Sequence, residues 1–240
     1  MIIGLVGTGL TCGVALAYYV GTGGTPLPET DDESPQWASI AQVNPANLTT
    51  VGKNAYFNLE PGYRLEYADG PSTRTVTVRR KTKLVDGVQT RVVEEKEQRG
   101  GQPTKVLWKY YAIDKESKAL YCFGVHVQNY YEGKVVSHDG WRSGVHGAVF
   151  RLAMPAAPKV GDTLVQRHGR TRYEVIGVGE KVTTPAGQFS NCFRTQVKGT
   201  AEDEGREKVF APGVGLVKDG QFSLVKIVQT TPSRSVASSY

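Results

Sequence analysis

Three of the four histidines in this 240-residue chain lie close together in the sequence and are the first candidates for chemistry. His126, His138 and His146 could share a metal ion if neighbouring strands brought them together. His138 is followed by Asp139, and such a pair could act as a general base with an orienting carboxylate. Zinc-binding histidine pairs are usually separated by about three to five residues, whereas the spacings here are twelve and eight. The spacing therefore favours hydrogen-bonded loop or surface histidines over a metal or hydrolytic site.

No candidate nucleophile has the sequence context that activates one. The sequence contains no Gly-x-Ser-x-Gly turn. Cys122 lies between two aromatic residues on a predicted strand with no activating base nearby, and Cys192 is similar. Gly177-x-Gly179 lacks the third glycine and the helix that would cradle a phosphate. We predict a protein that is not an enzyme, with no catalytic residue, metal ligand or cofactor. Whether Cys122 and Cys192 form a disulfide is left open.

Aromatic side chains are the other chemical resource of the chain, and they are dense in its middle third. Tyr110 and Tyr111 are adjacent, so on a strand they point to opposite faces of a sheet. One set should fill the core. The other set either is exposed as a docking patch, lines a lipid-sized groove, or is covered by the protein itself. The candidate docking residues are Trp37, Tyr110, Tyr130, Tyr131 and Trp141.

The element that would position the protein in the cell is an apolar segment at its start. The nineteen residues from Ile2 to Val20 carry no charge, and as a helix they would span roughly 28 Å, about the thickness of the hydrocarbon layer of a bilayer. We predict an uncleaved transmembrane anchor over residues 1–21. The alternative is a secretory signal peptide, since Ala15-Leu16-Ala17 resembles a cleavage site.

Small residues recur along one side of this predicted helix. Gly9, Gly13 and Ala17 are spaced every four residues, which would let a second membrane helix approach closely. Tyr18 and Tyr19 come where the helix should reach the lipid head groups. The pattern predicts contacts with integral membrane subunits and with the bilayer itself.

The charges that flank the anchor predict its orientation. No Lys or Arg precedes Lys53, and an acidic cluster follows the helix at residues 29–33. The positive-inside rule then favours a cytoplasmic amino terminus in a bacterial inner membrane, with the domain facing the periplasm.

The net charge of +6 suggests an acidic partner, but its distribution does not favour nucleic acid. The basic residues of the run Arg79–Lys83 (79, 80, 81 and 83) should face Glu94, Glu95 and Glu97 across a hairpin, as a solvated and charge-paired edge that resists aggregation. Anionic lipid head groups or an acidic protein surface are better partners for such a chain than DNA.

Turn signals divide the rest of the chain into short strands. Asp86-Gly87, Glu132-Gly133 and Asp219-Gly220 each separate β-rich runs and predict hairpins. We predict an all-β fold, a curved antiparallel meander of half-barrel or sandwich-like form, preceded by one N-terminal transmembrane helix. The predicted regions are an anchor (1–21), a linker or surface-lying segment (22–55), an antiparallel β-domain (56–230) and a polar tail (231–240).

A series of motifs within the β-domain also resembles a known family. They are Tyr56-Phe57 with Leu59, Pro61-Gly62-Tyr63 and Tyr67; Tyr121-Cys122-Phe123-Gly124; Gly133 to His138 with Gly140-Trp141; Met154-Pro155-Ala156; Pro158 to Asp162; Thr184 to Gly187 with Phe189 and Cys192; and Ala211 to Val217. Over about residues 56–228 the chain resembles a family of exported bacterial β-rich proteins of unassigned function. The resemblance implies a half-barrel sheet akin to periplasmic lipoprotein-carrier folds and an exported location, but no reaction. His126 and His146 stand where the family usually has acidic residues, so no cation site is implied here.

These features lead to two functional hypotheses. The first is a non-enzymatic, membrane-anchored accessory or scaffold subunit that stabilises a multisubunit membrane complex of the photosynthetic reaction-centre–antenna or respiratory type. The alternative is a tethered periplasmic carrier or binding module for a lipid or another apolar ligand. A hydrolase or metal enzyme that uses the three clustered histidines is a third and weaker hypothesis.

Overall fold

A computed structural model describes residues 43–166, 171–198 and 204–229 of the chain. Within these ranges the protein is all-β, with antiparallel strands and a single 3₁₀ turn at Pro45–Asn47. The predicted all-β, curved antiparallel sheet is therefore confirmed. No helix in the described ranges is long and apolar enough to cross a bilayer. The predicted features that lie outside the described residues are the anchor (1–21) with Gly9, Gly13, Ala17, Tyr18 and Tyr19, the linker up to residue 42 with Trp37, and the tail (231–240).

Sixteen strands are present in the described part of the chain. In chain order they are β1 (Leu48–Thr49), β2 (Lys53–Asn54), β3 (Phe57–Asn58), β4 (Arg64–Asp69), β5 (Ser72–Val85), β6 (Val88–Arg99), β7 (Gln102–Asp114), β8 (Leu120–Tyr131), β9 (Lys134–Arg142), β10 (Arg151–Met154), β11 (Thr163–Gln166), β12 (Thr171–Thr184), β13 (Gly187–Lys198), β14 (Glu207–Ala211), β15 (Gly215–Asp219) and β16 (Phe222–Val228).

Fourteen of these strands form one sheet, in which most neighbours are consecutive hairpins. Its order is β10-β8-β7-β6-β5-β4-β16-β15-β14-β13-β12-β11, with β9 paired to β8 and β1 paired to the end of β7. The pairing of β4 with β16 joins the two ends of the meander, with Tyr67 opposite Leu224. The sheet curls so far that Cα atoms of β10 and β11, the first and last strands of this order, come within 8 Å of each other.

Two predicted turns have the backbone geometry of tight hairpins. Asp86 and Gly87 have φ angles of 50° and 73°, and Glu132 and Gly133 have φ angles of 51° and 75°. Positive φ at both central residues is the signature of the type I′ turn, whose twist matches that of the flanking strands. These turns fix the registers of β5 with β6 and of β8 with β9.

The curled sheet has an inner face that carries the larger core and an outer face with a smaller one. The inner core includes Tyr67, Val93, Tyr111, Phe193 and Leu224, all nearly inaccessible to solvent. The outer cluster consists of Val85, Val88, Val92, Tyr110, Ala112 and Phe123. Tyr110 and Tyr111 do point to opposite faces, as alternation requires, and both are buried, so the protein covers both faces at this point.

The structure departs from the sequence-based expectations at short or irregular elements. Strands β1 and β2 lie before residue 56, in the segment predicted to be a linker, and Leu48 of β1 pairs with Asp114 of β7. The sequence did not predict these strands, because a two-residue strand is too short to show a periodic pattern. A β-bulge between Val78 and Thr82 places three residues of β5 opposite the single residue Val92 of β6.

This bulge also breaks the expected charge pairing of the hairpin. Arg79 lies 3.8 Å from Glu94, but Glu95 and Glu97 pair with cations on the inner face instead of with the basic run. The expected charge-paired edge is therefore wrong for most of Arg79–Lys83.

Candidate ligand-binding site

An ionic network lies on the inner face of the sheet, centred on Glu95 of β6. The Nζ of Lys109, on β7, lies 2.7 Å from Glu95 Oε2, and the Nε of Arg74, on β5, lies 3.4 Å from Oε1. Burial would raise the pKa of Glu95, but Lys109 and Arg74 lower it to about 2. Burial would lower the pKa of Lys109, but the charge of Glu95 raises it above its ordinary value. Both groups are therefore ionised at neutral pH.

Arg74 connects this network to a second buried carboxylate. Its guanidinium is 3% exposed and donates from Nε to Glu97 Oε1 at 3.0 Å and from Nη1 to Asp219 Oδ2. The Nε of Arg206 donates to Asp219 Oδ1 at 2.9 Å. Burial would raise the pKa of Asp219, but Lys208, Arg74 and Arg206 lower it. The inner carboxylates thus remain charged and are engaged by cations of the protein itself.

Three other cations on this face, Lys105, Arg151 and Lys208, lack such close neutralisation among the described residues. The Nε of Arg151, on β10, is buried and meets no hydrogen-bond partner among the described residues, and its guanidinium lies 6.0 Å from the ring centroid of Trp141. The Nζ of Lys208, on β14, lies 4.6 Å from the ring centroid of Tyr173 and 4.0 Å from Asp219 Oδ2. A buried donor without an acceptor costs about 1–3 kcal/mol, so the Nε of Arg151 is placed to receive an anionic oxygen.

These charged side chains line a hollow of about 230 Å³ on the inner face. Its lining has six cationic side chains against four carboxylates, so its field is net positive. The cations are Arg74, Lys105, Lys109, Arg151, Arg206 and Lys208, and the carboxylates are Glu95, Glu97, Asp139 and Asp219.

An apolar hollow of about 110 Å³ adjoins the charged one. The two share Glu95, Lys109, Tyr111, Ala153 and Lys208, so the ionic network marks the boundary between them. The apolar walls come from Phe57, Tyr63, Leu65, Tyr67, Val76, Val93, Leu120, Met154 and Phe210. The hydroxyls of Tyr63 and Tyr67 donate to the backbone carbonyls of Val214 and Leu216, each at 2.9 Å, which leaves their rings as apolar surface.

The shape of these two hollows limits what they can hold. An apolar wall next to incompletely neutralised cations suits a molecule with a short apolar body and an anionic head group. Small-molecule pockets typically measure roughly 300–1,000 Å³, and the two hollows together reach only the lower end of that range. They fit a short-chain amphiphile, and a whole two-chain lipid exceeds them.

The clustered histidines lie on the other side of the sheet. The rings of His126 and His138 stack with their centroids 5.6 Å apart. Since successive residues of a strand face opposite ways, His138 lies on the outer face and Asp139 on the inner one, which rules out the base–carboxylate pair considered from the sequence. Among the described residues, no group of three His, Cys, Asp or Glu side chains is arranged to hold a metal ion.

The structure places the candidate docking residues at different depths. Tyr110 is only 6% exposed and packs in the outer cluster, so it offers little surface to a partner. Tyr130 is half-buried and donates to Gln128 Oε1 at 2.9 Å. Tyr131 is 68% exposed at the turn between β8 and β9. Trp141 is half-buried and lies at the rim of the charged hollow.

The two strand cysteines are not joined to each other. Cys122 and Cys192 are both free thiols. Cys122 donates to the carbonyl of Gly124 at 3.4 Å, and burial raises the pKa of both thiols. Both are therefore protonated, weakly reactive side chains of the core at neutral pH.

The inner ionic network was not predicted from the sequence, although the alternation of the strands contains its signal. Glu95 is in phase with the buried Val93, and Lys109 is in phase with the buried Tyr111. A charged residue two positions from a core residue on the same strand points to the same face. Alternation could not show which cations lack a close carboxylate, because their partners depend on the register of six strands.

Comparisons of the chain with protein-family models, with curated proteins and with solved structures each gave no match. The family resemblance of residues 56–228 stays a prediction.

Proposed function

We propose that this protein is a non-enzymatic binding module, and that the inner face of its half-barrel sheet holds a short amphiphilic anion. The apolar part of the ligand occupies the hollow beside Tyr111 and Met154. Its anionic head group lies at the charged end, beside Arg151 and Lys208. This is the binding-module hypothesis of the sequence analysis, narrowed from a lipid to a smaller and charged ligand.

The observation that carries this proposal is the buried Nε of Arg151. Buried polar groups in folded proteins are nearly always hydrogen-bonded, so one without a partner calls for an explanation. The nearby carboxylates Glu95 and Asp219 are already engaged by Lys109, Arg74 and Arg206. A phosphate or carboxylate ligand would supply the missing acceptor in a charge-assisted hydrogen bond.

We further propose that the module works while tethered to a membrane. The support is the uncharged segment from Ile2 to Val20 and the acidic residues that follow it. In this proposal residues 1–21 anchor the chain in a bacterial inner membrane, and the β-domain faces the periplasm. A tether of this kind would keep the module near its source of amphiphiles.

A second proposed function, the scaffold subunit, has one structural observation in its favour. Strand β9 pairs with β8 on one side, and no second strand pairs with it among the described residues. Next to this edge Tyr131 is 68% exposed and Val136 is 60% exposed. Open edges with exposed apolar side chains can add a strand of a partner protein. An integral membrane subunit is the partner we propose for this edge.

Head-group selectivity tests the first proposal. The purified full-length protein is titrated by calorimetry with decyl phosphate, decanol and decyltrimethylammonium, which share one alkyl chain. We expect decyl phosphate to bind at least tenfold more tightly than either of the others, because the charged hollow attracts anions and repels cations. Equal affinities for all three would show that only apolar contact drives binding.

The scaffold proposal is tested by purification from membranes in mild detergent followed by mass spectrometry. Stoichiometric membrane subunits should accompany the wild-type chain, and both Val136→Lys and the pair Gly9→Leu with Gly13→Leu should reduce them. A chain that purifies alone, with the same migration in all three forms, would contradict the proposal.

A further inference from the structure

The outer face of the sheet carries an open groove, which borders the charged inner hollow at Val125, Asp139, Gly140 and Trp141 of β8 and β9. One part, of about 710 Å³, crosses β5 to β8, and another, of about 720 Å³, lies over β8, β9 and the segment after β9. Lys83, Tyr110 and His126 line both parts, so the two are continuous. None of these three side chains lines the inner hollows.

The floor of the groove is a ladder of stacked rings on three adjacent strands. Trp108 of β7 stacks on His126 of β8 with ring centroids 5.5 Å apart and planes 22° apart. His126 stacks on His138 of β9 at 5.6 Å and 23°. The faces of the His126 ring are thus covered on both sides, and a ligand meets the ring edge with its N–H group.

One rim of the groove is basic because of the β-bulge in β5. The bulge takes the residues between Val78 and Thr82 out of the regular ladder with β6, and Arg79 alone of the basic run reaches Glu94. The remaining cations of this rim, which form no ion pair with a carboxylate among the described residues, are Arg80, Lys81 and Lys83. The Lys83 ammonium lies 4.9 Å from the ring centroid of Tyr110. The pKa of His126 is lowered mainly by burial and further by the nearby His138 and Lys83.

The groove also contains hydrogen-bond acceptors between its cations. Glu94 accepts from Trp108 Nε1 at 3.1 Å and retains further acceptor capacity, since a carboxylate has about four lone-pair sites. Gln128 lines the same part of the groove. A ligand made only of phosphates has no donor for these groups and is repelled by the carboxylate. A ligand that carries both anionic groups and hydroxyls satisfies both kinds of lining.

We propose that this groove binds a segment of an acidic polysaccharide. Its carboxylate or sulfate groups contact Lys81, Lys83 and the edge of His138, and its hydroxyls donate to Glu94 and Gln128. Single-stranded nucleic acid fits less well, because base binding needs open aromatic faces and those of His126 are covered. A flat membrane surface fits less well because Tyr110 and Lys83 lie within a recess of the sheet.

Binding of short oligomers to the purified full-length protein tests this proposal. A fluorescein-labelled, sulfated, uronate-containing hexasaccharide should bind at least tenfold more tightly than maltohexaose, which has hydroxyls but no charge. It should also bind more tightly than a polyphosphate of six phosphates, a six-nucleotide oligo(dT), or vesicles with 30% phosphatidylglycerol. If any of these three binds as tightly as the hexasaccharide, the assignment to an acidic polysaccharide is overturned.

A matched pair of variants locates the binding. Lys81→Gln combined with Lys83→Gln should raise the Kd for the hexasaccharide at least tenfold, whereas Lys134→Gln, an exposed cation outside the groove, should change it less than twofold. An unchanged thermal unfolding midpoint shows that the double variant is folded. If the folded double variant binds like wild type, the groove is not the site. Because none of the substituted residues lines the inner hollows, this outcome is independent of decyl phosphate binding.

Discussion

The Nζ of Lys109 lies 2.7 Å from Oε2 of Glu95 on the inner face of the sheet. Glu95 is directly opposite Leu107 in the ladder, so Lys109 reaches it along the diagonal between neighbouring strands. This ion pair holds a buried negative charge in place at the boundary between the apolar and the charged hollow. Because Glu95 is engaged in this pair, Lys105, Arg151 and Lys208 are the cations of the charged hollow without a close carboxylate among the described residues.

The pair predicts a loss of stability in acid. The pKa of Glu95 falls from 4.5 to about 2 on folding. A carboxyl group with a depressed pKa stabilises the fold above its unfolded pKa, and this contribution is lost as the pH falls from about 4.5 through about 2. We expect the free energy of unfolding in urea to decrease over this interval. Glu95→Gln should remove part of that decrease, and the exposed Glu116→Gln should not. Equal slopes for the two variants would contradict the role of Glu95.

A second prediction concerns Arg91, which pins the bulge of β5. It is 6% exposed, and it donates from Nε to the carbonyl of Thr50 at 2.9 Å and from Nη1 to the carbonyl of Arg80 at 2.6 Å. Arg91→Met would leave these carbonyls without donors, which should lower the free energy of unfolding by about 2–4 kcal/mol. Arg99→Met, at the exposed end of the same strand, serves as the control and should cost less than about 0.5 kcal/mol. Similar losses of unfolding free energy in both variants would show that the hydrogen bonds of Arg91 do not stabilise the bulge.

The pairing of β8 with β9 gives a third prediction. Gly140 has φ 144°, and a Cβ atom there would overlap the carbonyl oxygen of Val125. Gly147 also has positive φ, 73°, but a Cβ atom there meets nothing within 4 Å. Gly140→Ala should therefore destabilise the protein by at least about 2 kcal/mol more than Gly147→Ala, since only the former forces the strands apart. Equal unfolding midpoints would show that the strands do not approach this closely.

Regular alternation and turn chemistry made much of the fold predictable from the sequence. Runs such as those around Tyr110 and Tyr111 show the two faces of a strand, and Asp86-Gly87 and Glu132-Gly133 specify their hairpins locally. The pairing of Tyr67 with Leu224 joins residues far apart in the chain, and no local pattern encodes it.

The candidate site was less predictable than the fold. The charges on β5 and β6 suggested pairing between the basic residues of Arg79–Lys83 and the acidic residues of Glu94–Glu97, but the bulge after Val78 shifts the register of β5. Glu95 lies on the inner face with Val93, where Lys109 of β7 pairs with it. An irregularity of this kind depends on a tertiary contact, here the side chain of Arg91 beneath it. Sequence alternation alone therefore gave the face of each charged residue and not its partner.

The affinity of the Arg151→Gln variant for decyl phosphate tests the central claim most directly. A hydrogen bond to a charged group is worth about 1.5–3 kcal/mol, so the Kd should rise about ten- to hundredfold relative to wild type. Lys226→Gln, an exposed cation outside both hollows, should leave the Kd unchanged. If a folded Arg151→Gln variant binds decyl phosphate as tightly as wild type, the inner face does not hold an anionic head group.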